Sequence, residues 1–442
     1  MALELQKDGE PLYLSVYRYY KDLILQGKLP AGSKMPSLRK CSGELHLSRT
    51  TIENAYLQLA ADGFIISKAQ SGYYVTGITG KPAVPQNREK AAEVNYIYDL
   101  SSSGVDRESF RFDLWQRYIK SALRQNDRLL SYGEPQGEYE LRETLAQYIR
   151  ERRNIHCTAE DIVVGAGVQS LLHILCPLLK DYTTVSFPTP SFVHGSAVFS
   201  DYGFDVHYRD KDCGIIFVSP AHMTKWGEIM PISRRLELIR HASHRGSLII
   251  EDDFENEFVY LQKPTPSIYS LAGGQGVVYI GSFSRLLLPS IRISFMVLPR
   301  QLREAYLQRA ALYNQTASKA EQIALCQFIR DGHLAAQTRR LRRLYAAKMK
   351  LLTEAAAQIF GAKAKIKVGS AGTTMALTVP TRYSGEALKN AAAAHGLKIQ
   401  VLSESEGALT LLLSCSSMPS DDFIPALTLL KNIVTVQTLS EL

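Results

Sequence analysis

The 442 residues contain only six cysteines, scattered as Cys41, Cys157, Cys176, Cys213, Cys326 and Cys415. None forms a C-x-x-C pair, and no His/Cys cluster has zinc spacing, so neither a disulfide framework nor a metal site is expected. The thiols read as reduced core residues of a cytoplasmic protein. Long apolar runs are missing as well. The longest candidate, "SLLHILCPLL", is interrupted by His173 and Pro177 and is too short for a membrane span. The start, "MALELQKDGEPLYLSVYRYY", lacks a basic segment followed by an apolar one, so no signal peptide is expected.

What is present is an ordinary globular composition, 45% hydrophobic and 21% charged, on a chain too long for one common domain. The net charge of +8 suits a nucleic-acid partner without requiring one. Between Arg285 and Lys350 stand thirteen Lys/Arg and three acids. The run "TRRLRRLYAAKMKLL" has Leu341, Leu344 and Tyr345 at core spacing, so a solvated helix face accounts for its charge. A phosphate contact or an interface between domains remains the alternative.

The first eighty residues carry a helical pattern with Leu12, Val16, Tyr19, Tyr20, Leu23 and Ile24 on one face, stopped by Gly27 and "LPAGS". Ser37 then caps a short helix with Leu38, Cys41 and Leu45 inward. Ser48 caps a third, with Ile52, Ala55, Tyr56 and Leu59 inward. "FIISK" and "GYYVTG", joined by "AQSG", follow as a hairpin. This is a winged helix. A recognition helix offers free N–H groups and a positive dipole end to phosphates. Arg49 can reach a guanine edge, Thr50 and Thr51 a phosphate or thymine methyl, and Arg39 the backbone. The hairpin brings Lys68, Ser71 and Gly72 towards the minor groove.

"PLYLSVY", "LPAGSKMPSLRK", "LSRTTIENAYLQL", "DGFI" and "SGYYV" together resemble the GntR-type winged helix-turn-helix. The resemblance implies DNA contacts at Ser37, Arg39, Ser48, Arg49, Thr50, Thr51, Lys68 and Gly72. Nine basic and seven acidic residues over positions 1–80 give little net field, so placement and dimer avidity should carry the binding.

Residues 78–97, "ITGKPAVPQNREKAAEVNYI", lack periodicity and read as a tether between a DNA-binding domain at 1–77 and a second domain at 98–442. In the second domain, "DIVVGAG", "TTVSF", "GIIFVSP", "SLIIEDD", "VVYIGSF" and "RISFMVLP" alternate with amphipathic helices. That predicts an α/β fold around a mainly parallel sheet, with a smaller α+β lobe from about 335 to 442. Ligands in such sheets sit at the carboxyl ends of strands, where "GAGVQS", "EDDFENEF" and "GSFSR" fall.

"SYGEPQGEYELRETLAQYIRERRNI", "DIVVGAGVQSLL", "SPAHMTKWGEIMP", "LIIEDDFENEFVY" and "YIGSFSRLLLPSIRISFMVLP" resemble the fold type I aminotransferase domain. Joined to the winged helix, they are similar to the MocR/GabR regulators. That resemblance implies a homodimeric transcription regulator with pyridoxal phosphate (PLP) held by a lysine. Arg285 stands at that lysine's position. A guanidinium stays protonated and cannot attack an aldehyde, so no covalent PLP is expected there. Phe254 replaces a tyrosine facing the cofactor's phenolic oxygen, and no arginine lies near Thr410, where a carboxylate clamp would fall.

Asp252 matches the pyridinium partner, Phe192 could stack on a ring, and Gly167, Val168, Gln169, Ser282, Ser284 and Arg292 match the phosphate side. Two readings stay open: a pocket for an acidic or phosphorylated effector, or a remnant in which Arg285 pairs with Asp252. Non-covalent PLP is a third. An aminotransferase with a rebuilt cofactor site is the alternative function. Lys225 sits in a loop that could approach the site and is read as a surface lysine.

Overall fold

The computed structural model describes residues 11–77, 96–101, 104–106, 109–190, 192–253, 256–259 and 265–436. The chain divides into two compact units, Met1–Glu93 and Val94–Leu442. Most of the expected tether lies outside the described residues, as does Phe254.

The first unit is built from α1 (Leu12–Leu25), α2 (Leu38–Leu45), α3 (Arg49–Ala61) and a hairpin of β1 (Ile65–Lys68) and β2 (Gly72–Val75). Val16, Tyr20 and Ile24 of α1 pack on Cys41 of α2, on Ile52, Ala55, Tyr56 and Leu59 of α3, and on Ile65 and Val75 of the hairpin. Leu12, expected inward, is 41% exposed. Both expected caps form. Ser37 Oγ accepts the Lys40 N–H at 3.2 Å and Ser48 Oγ the Thr51 N–H at 3.1 Å. Each satisfies a donor that the first helical turn leaves without an intrahelical acceptor.

In the second unit, β3 (Tyr98–Asp99) precedes seven strands of one sheet: β4 (Ile162–Gly165), β5 (Thr184–Phe187), β6 (Asp205–Tyr208), β7 (Ile215–Val218), β8 (Leu248–Asp252), β9 (Val277–Ser282) and β10 (Ser294–Val297). Their order is β4-β10-β9-β8-β7-β5-β6. The pairs that β10 makes with β4 and β9 are antiparallel, and the other described pairs of this sheet are parallel. Helices on both faces bury the central strands, which is why β8 reads as the continuous apolar run Leu248-Ile249-Ile250 before its carboxylates. The strand β6, "DVHY", is outside the expected set because it is short and half-exposed.

The smaller lobe holds β11 (Lys365–Val368), β12 (Thr374–Pro380), β13 (Leu397–Lys398), β14 (Gln400–Ser405) and β15 (Ala408–Ser414). Four of these form an antiparallel sheet, β11-β12-β15-β14. The pair β13–β3 is parallel, so the segment entering the unit is sewn into this lobe. Thr410 lies within β15, its hydroxyl 2.9 Å from that of Thr378 across the strand pair.

The basic run between 285 and 350 is only partly a solvated face. Leu341 and Tyr345 are buried and Leu344 half-buried. Lys348 is also buried, 2.6 Å from Asp106 Oδ2, and Arg342 donates to the Val259 carbonyl at 2.6 Å.

Candidate nucleic-acid interface and ligand cavity

The turn between α2 and α3 is closed by His46 in the left-handed region (φ 53°). It sets Ser48 at the head of α3, where Arg49, Thr50 and Asn54 are exposed. Neither Arg39 nor Arg49, both exposed, has an ion-pair partner among the described residues. Thr51 differs from the expectation. It is half-buried, and its hydroxyl lies 2.8 Å from Ser48 Oγ, so it completes the cap. Ser48 likewise spends its oxygen on the helix.

In the hairpin, Gly72 has φ 100°, which keeps this position close to glycine. The Ser71 hydroxyl lies 2.7 Å from that of Tyr74, so Ser71 holds Tyr74. The ammonium groups of Lys68 and Lys34 lie 4.6 Å and 5.8 Å from the Tyr74 ring centre. The hydrogen bond from Ser71, then Lys34 and Lys68, lowers the pKa of the Tyr74 hydroxyl. Tyr74 and Lys34 are interface candidates that the sequence reading missed. The "GYYV" pattern marked a strand but not which tyrosine two lysines would flank.

The second unit holds a cavity of about 750 Å³ beyond the carboxyl ends of the parallel strands. Pro188 and Thr189 after β5, Ser219 after β7, Asp252 of β8 and Ser282 of β9 line it, together with Val168 and Gln169 at a helix start. Gly167 precedes that helix with φ 94°. A Cβ there would overlap the Arg292 guanidinium, so cation and helix terminus sit in direct contact. Ser282 Oγ accepts from Ser294 Oγ at 3.1 Å and donates to Ser284 Oγ at 3.3 Å, which fixes the hydroxyls beside them. A helix N-terminus, a guanidinium and two hydroxyls suit a phosphate or carboxylate. Phe192 also lines the cavity, held 5.1 Å from the Phe217 ring.

Arg285 is half-buried in the turn after β9 and is not among the described residues lining the cavity, although Ser284 is. Its charge acts on Tyr345. Burial raises that hydroxyl's pKa, opposed by the Asp106 backbone and then by Arg285. Lys225 corrects the sequence reading: it lines the cavity and is half-buried. Its loop is pinned to the smaller lobe. The Lys225 carbonyl accepts from Thr374 Oγ1 at 2.5 Å, the Trp226 carbonyl from the Gly369 N–H at 2.7 Å, and the Gly227 carbonyl from the Ala371 N–H at 3.1 Å. A Cβ on Gly227 (φ 83°) would collide with the Ala371 carbonyl.

The carboxylates of "EDDFENEF" separate by strand alternation. Asp252 reaches the cavity, while Glu251 and Asp253 are buried elsewhere. Glu251 accepts the Ile268 and Tyr269 N–H groups at 2.8 and 2.9 Å; burial, then Asp253, pushes its pKa up to about 7. Asp253 takes two bonds from Arg153, at 2.7 and 2.8 Å, and one from Tyr279 Oη at 2.6 Å.

Comparison with known proteins agrees with this division. Residues 12–75 match the bacterial regulatory proteins of the gntR family, and residues 99–411 match aminotransferase class I and II. The chain is 33% identical over 415 residues to the HTH-type transcriptional regulator YdeL of Bacillus subtilis, covering 89% of this chain and 90% of that one. It is 26% identical over 439 residues to the probable rhizopine catabolism regulatory protein MocR of Rhizobium meliloti, covering 91% and 88%. An archaeal alanine:glyoxylate aminotransferase superposes with a TM-score of 0.68 at 19% identity, over 76% of this chain and 90% of its own, a likeness of fold. That fold makes PLP binding possible. The phosphate-side residues, Asp252 and Phe192 fit such a group. The chain belongs to the MocR-type branch of the gntR family: it is a DNA-binding transcription regulator in which a winged helix is joined to an aminotransferase-like domain.

Proposed function

We propose that this regulator works in the cytoplasm as a homodimer, that its large unit senses a small acidic or phosphorylated effector, and that this unit performs no transamination. The observation that carries the reading is Arg285 where the resemblance calls for lysine. PLP, when bound, supplies an aldehyde and an electron-withdrawing ring. The attachment step needs an amine able to lose its proton, and a guanidinium is not one. Several residues suited to holding a ligand are present. Ser282, Ser284, Arg292 and the N–H groups of Val168 and Gln169 would hold a phosphate or carboxylate. Asp252 would hold a cationic ring nitrogen, and Phe192 would cover an apolar face.

On DNA, the free N–H groups at the start of α3 and the exposed Arg39 would hold phosphates, while Arg49 reads a base edge. Lys34 and Lys68 beside Tyr74 would contact the flanking backbone. Two winged helices in one dimer would read two half-sites, and their joint binding offsets the weak net charge of each.

The test is the visible absorption of the purified protein before and after adding PLP, followed by borohydride reduction and peptide mapping. No reducible adduct and no transamination are expected, with DNA binding retained. A second reading, a rebuilt covalent site, is favoured by Lys225 lining the cavity. An adduct mapped to Lys225 would establish it in place of the first.

A further inference from the structure

The connection from β6 to β7 is unusually short. Both strands run parallel to β5, on its two sides, yet only residues 209–214 join them. Crossovers between parallel strands ordinarily take about a dozen residues or more, most often through a helix. Here the chain turns at Arg209 (φ 56°) and runs back as a strap over β5. The strand's own side chains fasten it. The Asp210 N–H donates to Ser186 Oγ and the Gly214 N–H to Thr184 Oγ1, both at 2.9 Å.

The strap brings His207, Asp210 and Cys213 together, one ligand atom from each lying within 4.8 Å of the others. Cys213 is buried; His207 and Asp210 are half-exposed, so the group opens to solvent on one side. Asp210 is oriented by its own turn. Its Oδ1 accepts the Asp212 N–H at 2.9 Å, while Oδ2 stands 3.9 Å from His207 Nδ1. The opposite ring nitrogen, Nε2, stands 3.6 Å from Asp205 Oδ2.

We infer that His207, Asp210 and Cys213 form a binding site for a thiophilic divalent cation of the zinc type, completed by water. The donors are the imidazole, carboxylate and thiolate that such ions take at about 2.0–2.3 Å. Ligand atoms on one tetrahedral ion lie roughly 3.3–3.8 Å apart by that geometry. An approach of about 1 Å within the half-exposed His207 and Asp210 side chains would close the set. Asp205 behind the ring matches the carboxylate that commonly orients a metal-bound histidine. The spacing of three and three residues is unlike the zinc patterns sought in the sequence, because it depends on the strap's reversal. The ion would clip the edge strand β6 to the strap, where no crossover helix stands.

The experiment uses the full chain, stripped with chelator and titrated with Co2+ alone, then with Zn2+. One equivalent of Co2+ should produce a near-ultraviolet thiolate-to-metal band that Zn2+ displaces. Cys213→Ser should abolish the band. His207→Ala should weaken Co2+ binding at least tenfold with far-UV circular dichroism unchanged. Asp205→Asn should weaken it roughly tenfold. No saturable band, or a band that survives in Cys213→Ser, would overturn the assignment. If Cys213→Ser does not fold, the half-exposed His207→Ala decides, and unchanged affinity there rejects the site.

Discussion

The two units handle positive charge in opposite ways. In the winged helix, Arg39, Arg49 and Lys68 are exposed, and none has an ion-pair partner among the described residues. In the large unit, Arg153 and Lys348 are buried against Asp253 and Asp106, and Arg235 donates to three backbone carbonyls. One unit keeps cations available for a partner, and the other consumes them in its own fold. The lesson concerns counting. The densest basic stretch, residues 285–350, is partly spent on internal bonds, whereas the nearly neutral first eighty residues present the usable charges.

The comparison breaks most visibly at Arg153. Arg153→Ala leaves Asp253 buried without its ion-pair partner and bonded only to Tyr279, and should destabilise the large unit by about 3–5 kcal/mol. Denaturant unfolding checks this. A loss below 1 kcal/mol would show that the pair is dispensable.

Glu251 should make stability pH-dependent. Its folded pKa is raised from 4.5 to about 7, so the folded state binds the proton more tightly than the unfolded one. Its contribution is therefore present below the unfolded value and lost as pH rises through about 7. The loss should be on the order of 3 kcal/mol between acidic and mildly alkaline solution. Glu251→Gln should flatten that slope in melting curves; an unchanged slope would assign it to other groups.

On the other side of the comparison, Arg49→Ala should leave unfolding unchanged and cost about 1–3 kcal/mol of specific DNA binding. A gel-shift titration at fixed salt measures it. Equal loss on specific and random DNA would demote Arg49 to a phosphate contact. Ser48→Ala is the smallest change, about 1 kcal/mol of winged-helix stability, because it removes the Thr51 N–H acceptor. No shift in the melting temperature would show that another group caps the helix.

Much of this was legible in the sequence, for identifiable reasons. Ser37 and Ser48 could be read because a cap depends on residues three apart. The strands from "DIVVGAG" to "RISFMVLP" could be read because burial on both faces makes them continuous apolar runs. The role of Thr51 could not, since a hydroxyl at the start of a helix serves a cap or a phosphate equally well. Nor could the separation of Glu251 and Asp253 from Asp252. Alternation says they differ in face, but only the packed sheet decides which face meets the cavity. Lys225 was read as a surface lysine because its loop is held by Gly369, Ala371 and Thr374, about 145 residues further along.

The strand β3 gives the chain entering the second unit a definite anchorage. Tyr98 and Asp99 pair with Leu397 and Lys398, and the Leu100 carbonyl accepts the Ser414 N–H at 2.8 Å. The same lobe grips the cavity loop through Gly369, Ala371 and Thr374. The segment entering the second unit is therefore fastened to the lobe that clamps one wall of the cavity, and the seven-stranded sheet carries the opposite wall. A group spanning Lys225 and Asp252 would tie the two walls together, and β3, paired into the clamping lobe, would share in that tie.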